Sequence, residues 1–451
     1  MTAHPLTPPG GSGPHPRLSV IGIGYLGLTH AVCLADMGFE VLAIDIDPDK
    51  VAAAARGEAH FFEPTLEPLL RKNLDAGRLR FTNSYPEIAD FADVHFLCVG
   101  TPQGLDGAAD LSYLHAAVDA LSPHLTRPCL VVGKSTVPVG TARDLLDRMR
   151  RTAPAAGQVD LAWNPEFLRE GFAVQDSLSP DRIVIGVTAT AAADLLRQVY
   201  EQPIAAGSPA LVMDLETAEL VKVSANAFLA TKISFINQMA AVCEAVGADV
   251  VALADALAHD ERIGRRSLSP GLGFGGGCLP KDVRAFRATG LALGLDSLVN
   301  LLDEVEAINL GRRARVADLA REALGGSLRG KRVAVLGVAF KPNSDDVRDS
   351  PGLDVCGRLA AEGAIVTVHD PIAMDNAARL QPGLGYRQSV TEAVVGAELV
   401  LHLTEWPEYR AIDPFALADV VAECNLIDAR CALDVNLWRD AGWSVRVLGR
   451  P

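Results

Sequence analysis

The chain has 451 residues, 49% hydrophobic and 22% charged, which predicts two to three globular domains, each able to bury a core. Its 41 basic against 56 acidic residues give a formal charge of −15, arguing against nucleic acid or an anionic membrane surface as a partner. No window is apolar for long enough to span a bilayer. The Pro-, Gly- and His-rich start, Met1 to Pro16, lacks the apolar core of a signal peptide, so a cytoplasmic location is expected.

In chain order, residues 1–17 read as a disordered tail. Leu18 then opens a short apolar strand running into Gly22-x-Gly24-Tyr25-Leu26-Gly27, followed by an apolar helix pattern that stops at Gly38. A second strand ends at Asp45. Strand, glycine turn, helix, strand and an acidic residue about 20 positions on form the full dinucleotide fingerprint. The glycines admit a pyrophosphate to the helix start, and Asp45 accepts from a ribose hydroxyl while repelling a 2′-phosphate, which favours NAD over NADP. Further apolar strands end in polar turns at Thr101-Pro102 and at Ser135-Thr136-Val-Pro138, the edge where a parallel sheet meets its ligand. Thr136 reads equally as a helix N-cap. Asn164-Pro-Glu166-Phe167-Leu168-Arg169-Glu170-Gly171 follows another strand; Glu166 and Glu170 are four apart, which on a helix means one face, with surface solvation the plain alternative. The strand Asp181 to Gly186 closes this first domain, drawn as 18–210.

From Leu211 to about Leu310 the strand signal is expected to vanish, giving a central helical domain over 211–320. A long helix without internal Gly or Pro carries Lys222 and Asn226 one turn apart. A mid-helix lysine is ordinarily solvated, whereas the Asn is a poor helix former in an apolar run. Arg262, Arg265 and Arg266 precede Gly271-Leu-Gly-Phe274-Gly275-Gly-Gly277-Cys278-Leu-Pro-Lys281-Asp282. This loop reads either as a glycine-rich turn around a buried cysteine, or as bare amides, a thiol and a cation arranged for covalent work on an anion. The eight cysteines contain no CxxC pair, so neither a metal site nor a disulfide framework is expected. Over 321–451, strands beginning at Lys331, Ile365, Glu398 and Asn425 predict a second doubly wound domain lacking the dinucleotide signature. The fold class is therefore α/β, two Rossmann-like domains joined by a long central helix.

Taken together, Gly22-x-Gly24-x-x-Gly27, Phe62-Glu-Pro64, Ser135-Thr-Val-Pro138, Asn164-Pro-Glu-Phe-Leu168, Asn226-Ala-Phe-Leu, Phe274-Gly-Gly-Gly-Cys278, Pro280-Lys-Asp282 and Ala339-Phe340-Lys341 resemble the UDP-glucose/GDP-mannose dehydrogenase family from Leu18 to the end. The versions at Asn164 and Phe274 look most like its bacterial UDP-glucose-oxidising branch. The resemblance implies a four-electron oxidation of a nucleotide-sugar C6 hydroxyl to a carboxylate, UDP-glucose to UDP-glucuronate first among candidates, with two NAD⁺. GDP-mannose, a UDP-N-acetylhexosamine and dTDP-glucose follow as alternative substrates.

It also implies roles by position. Cys278 matches the nucleophile that traps the aldehyde, and Lys222 the residue stabilising the oxyanion. Asp282, Glu166 and Thr136 handle the water, with Asn226 beside them. Gly22, Gly24, Tyr25, Leu26, Gly27, Asp45, Lys50, Thr101, Thr136, Glu170, Lys281 and Arg348 match cofactor positions. Glu166, Phe167, Leu168, Arg169, Lys222, Asn226, Arg262, Phe274, Gly275, Gly277, Cys278, Phe340, Lys341 and Arg430 match substrate positions, Arg262 reaching across a dimer interface. A homodimer or larger homo-oligomer follows. Thr65 stands where the family usually has Gly, so the backbone of that loop is expected to differ slightly. Two rivals remain: a two-electron hydroxyacid dehydrogenase with a structural Cys278, and a nucleotide-binding protein without turnover.

Overall fold

The computed structural model of the chain describes residues 15–104 and 106–450. Most of the expected tail, residues 1–14, lies outside them; Arg17 is already tied down, its amide donating to Asp93 at 2.9 Å. The chain divides into two compact units, Met1–Ala225 and Asn226–Pro451.

The first unit is built on an eight-stranded sheet: β1 (Leu18–Ile21), β2 (Val41–Ile44), β3 (Leu79–Thr82), β4 (Val94–Leu97), β5 (Cys129–Gly133), β6 (Val159–Trp163), β7 (Ile183–Val187) and β8 (Ala210–Met213). Their order is β3-β2-β1-β4-β5-β6-β7-β8. Pairing is parallel throughout except between β6 and β7. Central strands are largely apolar because both faces are covered: Leu18 and Val20 enter one buried cluster, Ile21 the other, and the buried Ser19 of β1 is hydrogen-bonded to His95 of β4 at 2.7 Å. Two strands escape the sequence reading. β3 and β8 are the sheet edges, and in β8, inside the stretch expected to hold no strand, Leu211 and Val212 are 45% and 41% exposed. An edge strand of four residues buries too little to leave a pattern.

The 32-residue helix Leu215–Val246 follows, and the boundary between the units falls within it. In the second unit the helices Val250–Ala258, Leu279–Ala292 and Asp296–Ala323 precede a six-stranded sheet: β9 (Arg332–Leu336), β10 (Ile365–His369), β11 (Gly385–Tyr386), β12 (Leu399–His402), β13 (Asn425–Asp428) and β14 (Ser444–Val447). It is parallel in the order β11-β10-β9-β12-β13-β14. That is the strand order of a dinucleotide fold. Again the two edges, β11 and β14, were not legible in advance.

Candidate active site

The dinucleotide turn forms as its glycines dictate. Gly22 has φ +88°, and a Cβ on Gly27 would lie 1.7 Å from the Gly22 carbonyl oxygen, so the helix Tyr25–Asp36 packs against the turn only through glycine. Gly24 differs: a Cβ there meets nothing within 4 Å, so packing against the protein does not require glycine at this position. Asp45, ending β2, accepts from the Ile23 amide at 2.9 Å and the Asp47 amide at 3.0 Å, fixing a carboxylate beside the turn. Lys50 donates its amide to Asp47, the cap of the next helix. The Tyr25 hydroxyl donates to the buried Glu63, which also accepts from the Gly171 and Ala173 amides, each at 2.7 Å. These residues fit an NAD adenosine and pyrophosphate. Leu26 lies half-buried in the first turn of the same helix.

Thr65 adopts φ +66°, ψ −4° at the head of the helix Leu66–Asp75. It holds the left-handed conformation a glycine would take, so the backbone there is kept at a cost of roughly 1–2 kcal/mol. Offsetting glycine's larger unfolded-state entropy, about 0.5–1 kcal/mol, Thr65→Gly is expected to raise the melting temperature slightly. A lower melting temperature for the variant contradicts this account.

At the ends of β5 and β6 the first unit gathers a polar cluster. Ser135 Oγ donates to the Val99 carbonyl at 2.6 Å, and the buried Thr101 hydroxyl donates to the Thr136 carbonyl at 2.8 Å. Thr136 is not a helix cap; the following helix, Thr141–Thr152, starts beyond Gly140. Glu166 and Glu170 do not share a helical face either, because residues 164–169 form a loop. Pro165 disfavours helix at Asn164, and Glu166 Oε2 instead accepts the Leu168 amide at 2.6 Å. Its Oε1 takes a 3.0 Å bond from Lys222 Nζ. Burial opposes ionisation of Glu166, but the charge and bond of Lys222, the Leu168 amide and Lys134 outweigh it and hold the carboxyl below its ordinary range. Lys222, unlike an ordinary mid-helix lysine, is 4% exposed, and its ammonium lies 5.5 Å from the Phe167 ring centroid. Arg169 lies outside this cluster, gripping Asp176 at 2.6 and 2.9 Å.

Two groups here went unremarked in the sequence. Lys134, buried beneath the turn, reaches Asn164 Oδ1 at 2.9 Å, and burial pushes its ammonium down to about 8. Glu219, one turn before Lys222, is 1% exposed and accepts from the Gly140 and Ala142 amides. A charged residue amid an apolar pattern was the available signal for both.

The cysteine loop lies in the second unit. Of the eight cysteines, all described, Cys278 alone is exposed. It is the N-cap of Leu279–Ala292, with Pro280 in the first turn and its carbonyl accepting the Asp282 amide at 2.9 Å. A helix start presents partial positive charge to whatever anion forms there. Asp282 is 1% exposed, holding Asn226 Nδ2 at 2.6 Å on one oxygen and Lys281 Nζ at 2.6 Å on the other. The preceding glycines answer to protein neighbours. A Cβ on Gly276, at φ +84°, would strike the Phe340 ring at 2.8 Å, and one on Gly277 the Arg348 guanidinium at 2.3 Å. Gly275 presses equally close to the Asp349 carbonyl. Phe274 is held by Asn309, which accepts its amide at 2.7 Å and donates to its carbonyl at 3.0 Å.

Arg430, after β13, donates to three carbonyls, Leu403 at 2.7 Å, Gly273 at 3.3 Å and Phe340 at 3.4 Å, joining this loop to the second sheet. Lys341 lies 5.2 Å from the Phe340 ring centroid. Arg348 pairs with Asp346, and Arg262, fully at the surface, with Asp260. Asp370 ends β10 where Asp45 ends β2, but its carboxylate is fully buried. It is taken up by the amides of Val338, Ala339, Ile372 and Ala373 and by the Trp406 indole. With five protein donors on it, this carboxylate is more heavily engaged than Asp45, which takes two amides.

Comparisons with known proteins agree with this division of labour. Models of the UDP-glucose/GDP-mannose dehydrogenase family match the chain three times: the NAD binding domain over residues 16–204, the central domain over 216–310 and the UDP binding domain over 334–435. A UDP-glucose 6-dehydrogenase of Rhizobium meliloti (strain 1021) is 41% identical, over 96% of this chain and 100% of its own. The solved structure of a UDP-glucose dehydrogenase from Pyrobaculum islandicum is 40% identical with a TM-score of 0.87, covering 95% of this chain and 98% of its own. That of a UDP-D-ManNAc dehydrogenase from Pyrococcus horikoshii is 26% identical, TM-score 0.84, over 96% and 99%. The chain belongs to the UDP-glucose/GDP-mannose dehydrogenase family.

Proposed function

We propose that the chain oxidises the C6 hydroxyl of UDP-glucose to the carboxylate of UDP-glucuronate, with two NAD⁺ reduced per sugar. The observation that carries the reading is the exposed thiol of Cys278 at a helix start, backed by the buried Asn226–Asp282–Lys281 cluster. A two-electron dehydrogenase has no use for such a thiol. NAD⁺, when bound at the Gly22–Asp45 turn, supplies the hydride acceptor. Loss of the first hydride from C6 leaves an aldehyde. The Cys278 thiolate adds to it, forming a C–S bond, and loss of the second hydride gives a thioester. Water then cleaves that bond, releasing the carboxylate and restoring the thiol. The covalent adduct keeps C6 in place between the two oxidations.

In this assignment Lys222 stabilises the oxyanion, while Glu166, Asp282, Asn226 and Thr136 orient or deprotonate water. Lys341, Arg430 and the Phe274–Gly277 loop hold the nucleotide sugar. UDP-glucose ranks ahead of a UDP-N-acetylhexosamine because identity is 40% and 41% to the two UDP-glucose enzymes and 26% to the UDP-D-ManNAc one. The test is a panel of UDP-glucose, GDP-mannose, UDP-N-acetylhexosamines and dTDP-glucose, scored for NADH released per sugar consumed. Two NADH with UDP-glucose preferred is expected; a ratio of one refutes the thioester route, and a different best substrate refutes the sugar assignment.

The same reading includes a homodimer or larger homo-oligomer in the cytoplasm, where NAD and nucleotide sugars are made. Phe228, Phe235 and Val242 recur every seven residues along the helix Leu215–Val246, at 66%, 49% and 46% exposure. Such a row is a seam for a second helix. Sedimentation of the free protein as a 47.6 kDa species would overturn this.

A further inference from the structure

The Thr136 turn and the helix bearing Lys222 come from distant parts of the chain, yet one buried carboxylate joins them. Glu219 Oε2 accepts the Gly140 amide at 2.7 Å and Oε1 accepts the Ala142 amide at 2.6 Å. Those amides head Thr141–Thr152, a helix whose own N-cap, Gly140 at φ +98°, offers no side chain. On its other flank the turn is held by Ser135 on Val99 and Thr101 on Thr136. Glu219 and Lys222 lie three apart in one helix, so they occupy neighbouring positions on one face. Both are buried, at 1% and 4% exposure.

We infer that Glu219 is a positioning residue: it sets the Thr136 turn against Lys222, and so against the Glu166 that Lys222 holds. The inference rests on the function proposed above. A plain helix cap is ordinarily supplied by a Ser, Thr, Asp or Asn at the N-cap itself. Here the cap arrives from the helix that carries Lys222 and is kept although burial pushes its carboxyl up to about 7, against the pull of the two amides. A cap needed only for stability has no reason to come from that helix.

Glu219→Gln keeps size and one acceptor oxygen but turns an NH₂ toward one amide. It is expected to lower kcat for UDP-glucose about ten- to a hundredfold, the scale of a small misplacement of reacting groups. KM for UDP-glucose and for NAD⁺ should stay within about twofold, since Glu219 is 1% exposed and both its oxygens are taken by backbone amides. A kcat within twofold of wild type, or a loss confined to KM, overturns the inference. Should Glu219→Gln fail to melt cooperatively, Glu219→Asp keeps the charge but shortens the reach by one methylene, so the two amide bonds cannot both be kept at 2.7 and 2.6 Å. The same split is expected there, and an unchanged kcat overturns the inference. Failure of both variants to fold assigns Glu219 to stability alone and equally overturns it. Wild-type protein releasing no NADH from UDP-glucose refutes instead the function on which the inference rests.

Discussion

Cys278→Ser is expected to abolish NADH release at steady state, lowering kcat by roughly a thousandfold or more, while UDP-glucose and NAD⁺ bind as before. Serine keeps the backbone and a side chain of nearly the same reach, so the N-cap position and the Asp282 amide bond to its carbonyl survive. What is lost is the thiol, whose thiolate is a far better nucleophile than a serine hydroxyl. Because Cys278 is exposed and serine is close to it in size, stability should change by less than about 0.5 kcal/mol. The other described cysteines act as controls. Cys356 is fully buried, and burial pushes its thiol up to about 12, so it neither reaches substrate nor reacts. A Cys278→Ser enzyme running near the wild-type rate returns the thiol to a packing role and removes the thioester route.

Much of this was legible because the chemistry is local. The turn Gly22–Gly27 and Asp45 need one another in a fixed arrangement whatever else the chain does, so spacing alone identified them. Lys222 and Asn226 sharing a helix face followed from periodicity. Their burial did not, because it depends on partners far away in sequence, Glu166 and Asp282. For Glu166 and Glu170 the spacing left a shared helical face and plain solvation both open; Pro165 sets a loop there instead. The glycines before Cys278 show the opposite limit. A bare backbone announces a close neighbour, but not which one, and at Gly276 and Gly277 it is Phe340 and Arg348 of the same unit. Asp370 was invisible for a related reason: a carboxylate ending a strand looks like Asp45 until its hydrogen bonds are counted.

The Lys222–Glu166 pair allows stability and catalysis to be separated. Lys222→Met removes a buried cation and leaves Glu166 facing burial with only the Leu168 amide and Lys134 in support. Removing one partner of a buried pair costs about 3–5 kcal/mol; with the two side chains 5% and 14% exposed, the lower end is expected. In the wild type, a carboxyl held below its ordinary range contributes stability that is present above its unfolded pKa and lost as pH falls through the folded one. Without Lys222 burial prevails and the Glu166 carboxyl rises instead. The destabilisation of Lys222→Met should therefore be largest at neutral pH and shrink toward acid, where Glu166 is protonated in both states. Loss of oxyanion stabilisation should lower kcat by about 10²–10³. Adding Glu166→Gln removes the stranded charge, so the double variant should regain most of the lost stability and none of the lost rate. Recovery of both, measured by urea melts and NADH release, would mean that Lys222 serves only to neutralise Glu166. Recovery of neither would mean that Lys222, whose ammonium also lies 5.5 Å from the Phe167 ring centroid, stabilises the fold through more than its pairing with Glu166.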